Sequence, residues 1–140
     1  MMKTSQPGGA RPRILIVDDD RDFVEASRDL LEAEGYATLT AGDGAAGYAL
    51  ALREKPELML LDVMMASNDE GVEICRKIGE TPALRGMPVI LVTGARRALN
   101  LPFRFEPDPA CLPAAAVLEK PVMPEALLAA IRTQLPTRNA

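Results

Sequence analysis

The chain has 140 residues, 48% of them hydrophobic, which is the size and apolar content of one globular domain with its own core. Sixteen basic against 20 acidic residues give a net charge of −4, so no basic stripe invites a nucleic-acid backbone. Histidine is absent, which excludes Ser-His-Asp and Cys-His catalysis, histidine metal ligands and a phosphohistidine carrier role.

The first dozen residues are rich in Gly, Pro and polar groups and read as a loose tail over 1–12. They contain no apolar signal segment, and no later run approaches the about 18 apolar residues of a membrane helix. A cytoplasmic protein with no membrane contact is expected. Cys75 and Cys111 stand far apart without metal-type spacing and read as buried free thiols.

In chain order, Arg13 to Val17 opens the fold with a continuous apolar run, the pattern of a strand covered on both faces. Asp20 then caps a helix carrying Phe23, Ala26, Leu30 and Leu31 at helical spacing, and Gly35 stops it. Tyr36 to Thr40 alternates polar and apolar like an edge strand, and a helix follows near Gly44 to Arg53, with Asp43 as its natural cap. Leu58 to Leu61 is an apolar strand ending at Asp62, and Val72, Ile74, Cys75 and Ile78 mark a helix that stops at Gly79. Val89 to Val92 ends at Thr93, Ala116 to Leu118 ends near Lys120, and Pro124 opens a last helix through Leu127, Leu128, Ile131 and Leu135. Between them, Leu101 to Pro113 holds Pro102, Pro107, Pro109 and Pro113, so a long loop after a short helical turn is expected in place of a regular fourth helix.

Strands alternating with helices at this spacing predict a doubly wound α/β fold with a parallel sheet covered on both faces. In such sheets ligands gather beyond the carboxyl ends of the strands. The polar residues stand there: Asp18 and Asp19, Asp62, Thr93 and Lys120 each follow an apolar run and are delivered to one edge of the sheet. Carboxylates forced together repel unless a cation compensates, and hard oxygen ligands without histidine suit Mg²⁺ or Mn²⁺. A lysine can pair with a carboxylate or a phosphoryl oxygen, and a threonine hydroxyl can donate to that oxygen. The set suits phosphoryl transfer to a carboxylate.

The segments ILIVDDD at 14–20, LLDVMM at 60–65, VILVTG at 89–94 and LEKPV at 118–122 resemble the receiver family of two-component signalling, in the right order at strand ends. The resemblance covers about residues 13–136, leaving 137–140 as a short tail, and implies a CheY-like, flavodoxin-like sheet of order 2-1-3-4-5. It implies Asp62 as phosphoacceptor, Asp19 as a direct metal ligand, Asp18 as a ligand mostly through water, and the Met64 carbonyl as another ligand. Thr93 becomes the switch hydroxyl, Lys120 the phosphate-pairing cation, and the Lys120–Pro121 peptide cis. A histidine kinase or phosphotransfer protein is the implied partner, the downstream protein target is unspecified, and a monomer or weak homodimer is expected. The chain ends soon after its last helix, so output by protein contact or phosphorelay is expected.

Three departures stand out. Ala66 replaces a common proline, and the segment Ser67 to Glu70 is one residue longer than usual before Gly71. Val117 stands where many receivers carry an aromatic switch residue, and Thr93 and Lys120 are separated by extra length in the proline-rich loop. A remodelled output face including Phe103 and Phe105 is the expectation there.

Two other readings compete. Gly42, Gly44 and Gly47 spell GxGxxG between a strand and a helix, with Asp62 about twenty residues on, as in a dinucleotide-binding oxidoreductase. That reading requires a buried central strand before the glycines and leaves Asp18, Asp19 and Lys120 without a role. A phosphorylation-independent, receiver-like interaction module is the other, and the intact acidic set argues against it.

Overall fold

The computed structural model describes residues 11–62, 70–93 and 116–135, with the backbone alone at 70–72. Its strands are β1 (Arg13–Val17), β2 (Ala37–Ala41), β3 (Leu58–Asp62), β4 (Val89–Thr93) and β5 (Ala116–Glu119). Its helices are α1 (Arg21–Ala33), α2 (Gly44–Glu54), α3 (Glu70–Gly79) and α4 (Pro124–Gln134), with a short 3₁₀ turn at Pro82–Leu84. All strand pairings are parallel, in the order β2-β1-β3-β4-β5. This is the doubly wound architecture expected, with β2 on the edge as its alternating pattern requires.

Successive residues of a strand face opposite sides of a sheet, and the interior strands are continuously apolar over 14–17, 58–61 and 89–92 because helices cover both sides. Leu15, Val17, Met59, Leu61, Val89 and Leu91 point to one side and bury against Ala51, Ile74, Cys75, Ile78 and Leu84. Ile14, Ile16, Leu58, Leu60 and Ile90 point to the other and bury against Leu31, Leu127 and Ile131. Helices α2 and α3 thus cover one face and α1 and α4 the other. Each such large apolar side chain contributes roughly 1.5–3 kcal/mol on full burial.

Local signals set the element ends. Asp20 Oδ1 accepts from the amides of Asp22 at 3.1 Å and Phe23 at 3.2 Å, which starts α1 directly after β1. Gly35 at φ 96° takes the chain out of α1. Asp43 Oδ1 accepts from Ala46 at 2.8 Å and starts α2. Arg13 holds the beginning of β1 to the end of α2: its guanidinium donates to the carbonyls of Glu54 and Lys55, and its amide donates to Glu57 Oε1 at 2.7 Å. Cys75 is a buried free thiol as expected. Cys111, the proline-rich stretch 101–113 with Phe103 and Phe105, Met64 and Ala66 lie outside the described residues, as do the tails 1–10 and 136–140.

Candidate phosphoacceptor site

Every predicted functional side chain that is described sits at the carboxyl edge of the sheet. Asp18 follows β1 directly, Asp62 and Thr93 are the last residues of β3 and β4, and Lys120 follows β5. Parallel pairing in a common register brings these sequence-distant ends level, since Val17 pairs with Leu61, Asp62 with Val92 and Thr93 with Glu119. The amide of Lys120 extends the ladder by donating to the Thr93 carbonyl at 2.8 Å. The Lys120–Pro121 peptide is cis, as the resemblance implies.

Asp18, Asp19 and Asp62 each offer a carboxylate oxygen, and these oxygens lie within 4.8 Å of one another. Asp18 and Asp62 are buried and Asp19 is exposed. The Asp18 amide donates to the Ala41 carbonyl at 3.1 Å, and Asp18 Oδ1 accepts from the Asp20 amide at 2.9 Å, which fixes the carboxylate in the β1–α1 turn. Three hard anionic oxygens on separate chain segments, two of them out of water, form a donor set that fits a small divalent cation. They repel one another without one.

Lysine supplies part of that compensation. Lys120 Nζ is 3.0 Å from Asp18 Oδ2 and 3.6 Å from Asp20 Oδ2. Burial works against its charged form, but the hydrogen bond and charge of Asp18, and then the charges of Asp62 and Asp20, outweigh it, so its pKa is raised above the usual lysine value. The ammonium stays protonated throughout the physiological range. Thr93 Oγ1 is buried and has no hydrogen-bond partner among the described residues. A buried hydroxyl without a partner is costly, so this atom stands out among the buried polar groups described at the sheet edge.

Sequence reading missed part of the lysine's surroundings. Asp20 is the α1 cap it was expected to be, yet its second oxygen turns to Lys120, and the Phe23 ring stands 4.6 Å from Nζ at the centroid. The only signal was the position of both residues at the first turn of α1, next to the strand edge. Val117 is half-buried and packs on the core cluster beneath α2 and α3, so an aliphatic side chain fills the place of the aromatic partner found in many receivers. The glycine fingerprint follows the edge strand β2, where a dinucleotide-binding fold would need a buried central one.

A doubly wound parallel sheet carrying three acids, a threonine and a lysine at one carboxyl edge is the architecture of a phosphoacceptor signalling domain. The comparisons agree: the model for the response regulator receiver domain matches residues 14–132, and the chain belongs to that family. It is similar to the response regulator PleD of Caulobacter vibrioides, at 44% identity over 81 residues, 58% of this chain and 18% of that protein. It is also similar to the DNA-binding response regulator MtrA of Mycolicibacterium paratuberculosis, at 30% identity over 125 residues, 89% of this chain and 52% of MtrA. The chain therefore spans about half of MtrA and less of PleD. Among solved structures, a CheY-like receiver domain protein from Methanospirillum hungatei JF-1 superposes with a TM-score of 0.70 at 33% identity, covering 90% of this chain and 94% of that one. A receiver domain protein from Clostridium thermocellum gives 0.72 at 27%, covering 88% and 93%. As a member of this family the chain carries a receiver domain with a phosphoacceptor signalling function, and the family as a whole works with histidine kinases or phosphotransfer proteins. No described helix is long and apolar enough to cross a membrane.

Proposed function

We propose that residues 13–136 form a receiver unit in which Asp62 accepts a phosphoryl group, with Mg²⁺ held by Asp18, Asp19 and Asp62 and Mn²⁺ able to replace it. The observation that carries this reading is the convergence of those three carboxylates beside Lys120. The Met64 carbonyl is a further ligand in this reading, carried over from the family pattern alone. Magnesium, when bound, neutralises charge on the transferring group and holds it in line.

The chain's own groups do the rest. A carboxylate oxygen of Asp62 attacks phosphorus on a partner's phosphohistidine; the new O–P bond forms as the N–P bond breaks, and the imidazole nitrogen leaves with the electron pair. The Lys120 ammonium pairs with one phosphoryl oxygen and the Thr93 hydroxyl donates to another. Both are drawn toward the acyl phosphate, which biases the loops at this edge between two arrangements and changes a surface that another protein reads. Signalling is by protein contact in the cytoplasm, with no nucleic acid or membrane as a direct target of this unit.

The test is incubation with acetyl phosphate and Mg²⁺, followed by intact mass. Wild type is expected to gain one phosphoryl group, with none in EDTA and none for Asp62→Asn. An adduct on Asp62→Asn equal to wild type would assign the acceptor elsewhere.

A further inference from the structure

The ammonium of Lys120 does not stand free at the sheet edge. It is enclosed by Asp18 Oδ2 at 3.0 Å, Asp20 Oδ2 at 3.6 Å and the Phe23 ring at 4.6 Å, and its side chain is 17% exposed. Of these groups, Asp20 and Phe23 come from the first turn of α1 and its cap, and nothing in the phosphotransfer chemistry requires them. An ammonium has three protons to place, and a ring face attracts it through the quadrupole at this distance.

We propose that Phe23 and Asp20 are positioning residues: they form a berth at the start of α1 that holds the Lys120 ammonium against Asp18 until a phosphoryl group draws it away. The inference rests on the phosphoacceptor reading above and adds to it a resting position for the lysine. The berth and the phosphoryl oxygens compete for one cation. A ligand that needs a group held elsewhere binds more weakly by the fraction of time that group is withheld. The α1 turn therefore sets the ease with which the site takes its phosphoryl group.

Asp20 has two separable jobs. Its Oδ1 caps α1, and its Oδ2 faces the lysine. Asparagine retains the capping oxygen and removes the charge, so Asp20→Asn isolates the second job. Phe23→Leu keeps apolar bulk on α1 and removes the ring face, whereas Phe23→Tyr keeps the ring.

The test has two arms. In the first, the ε-methylene protons of Lys120 are followed by NMR in the full chain without a phosphodonor. They are expected upfield of other lysines through the Phe23 ring current, with the shift kept in Phe23→Tyr and lost in Phe23→Leu. Unshifted protons in wild type overturn the berth, whatever becomes of Asp62. In the second arm, phosphorylation by acetyl phosphate at saturating Mg²⁺ is followed by intact mass. Phe23→Leu is expected to lower the half-saturating donor concentration by about two- to fivefold, the range a partly exposed cation–π contact allows, with the limiting rate unchanged. Phe23→Tyr is expected to restore the wild-type value, and Asp20→Asn to act in the same direction as Phe23→Leu. In a Lys120→Ala background the initial rate at low donor is expected to be the same with Phe23 or Leu at that position. A half-saturating concentration unchanged or raised by Phe23→Leu, or an effect that persists without Lys120, overturns the proposal. Absence of any adduct on wild type overturns the phosphoacceptor reading, and the NMR arm still decides the berth.

Discussion

Val17 Cγ2 lies 2.7 Å from the point where a Cβ on Gly47 would stand, and Val17 Cγ1 lies 2.9 Å from it. Helix α2 thus rides on β1 at a distance that only glycine permits, and both atoms belong to a branched side chain that is itself buried. This is the physical reason for the third glycine of the GxGxxG pattern: it serves helix–strand packing, and no phosphate needs to be invoked. Gly47→Ala is expected to destabilise the chain by about 1–2 kcal/mol, an overpacking cost of roughly 1–3 reduced by alanine's better helix propensity. Gly42→Ala, with nothing within 4 Å of its added Cβ, is expected to stay within about 0.5 kcal/mol of wild type. Urea denaturation of the two variants checks this, and equal stabilities would refute it.

Metal removal tests the acidic cluster directly. Three carboxylates whose oxygens lie within 4.8 Å of one another repel in the metal-free protein. A cation that binds the folded state alone stabilises it by mass action, by about 2.7 kcal/mol at a hundred times its dissociation constant. Thermal melts are expected to rise with Mg²⁺ and fall back in EDTA, with the response weakened in Asp18→Asn and in Asp62→Asn. A melting temperature indifferent to Mg²⁺ would contradict the donor set proposed.

The role proposed for Thr93 predicts different effects on stability and on phosphorylation. Its hydroxyl is buried with no partner among the described residues, so replacing it with a methyl removes a desolvated polar group at almost constant volume. Thr93→Val is expected to leave the unmodified protein equally stable or to stabilise it by up to about 1 kcal/mol, while slowing phosphorylation and blunting the conformational response. Denaturation and phosphorylation time courses on one preparation measure both. A loss of stability with normal phosphorylation would reverse the assignment.

Burial pushes the Cys75 thiol up to about 12, with Arg76 opposing it weakly. A thiol that is fully enclosed and protonated cannot present a thiolate. In a Cys111→Ser background, Cys75 is expected to resist a thiol reagent at pH 8 until the chain is unfolded. The sign of the pH dependence follows from proton binding. Above the ordinary thiol range, near 8.5, the unfolded chain loses this proton while the folded chain keeps it, so stability falls as pH rises toward 12. Cys75→Ala is expected to flatten that alkaline slope in denaturation midpoints measured at successive pH values.

Much of this molecule is legible from residue order. The continuous apolar runs at Ile14 to Val17, Leu58 to Leu61 and Val89 to Val92 are interior strands because only a strand covered on both faces can afford no polar position. The alternation before Gly42 marks the edge strand β2, and a polar residue directly after each buried run, at Asp18, Asp62 and Thr93, marks the carboxyl edge that Lys120 joins after the half-buried β5. Strand period, capping acids and helix-stopping glycines are local properties, and local properties are written in sequence.

Contacts between segments are not written there. That Asp20 turns one oxygen to its own helix and the other to Lys120, that Phe23 lies beneath the ammonium, and that Val17 demands a glycine at position 47 all depend on how α1 and α2 settle on the sheet. Helix packing is fixed by the summed shape of two faces, to which many residues contribute weakly, so no single residue announces it. The sequence by itself determined the strand order's raw material and the chemistry at the strand ends; the tertiary structure alone decided which neighbours hold the lysine, because that distance is set across three separate segments of chain.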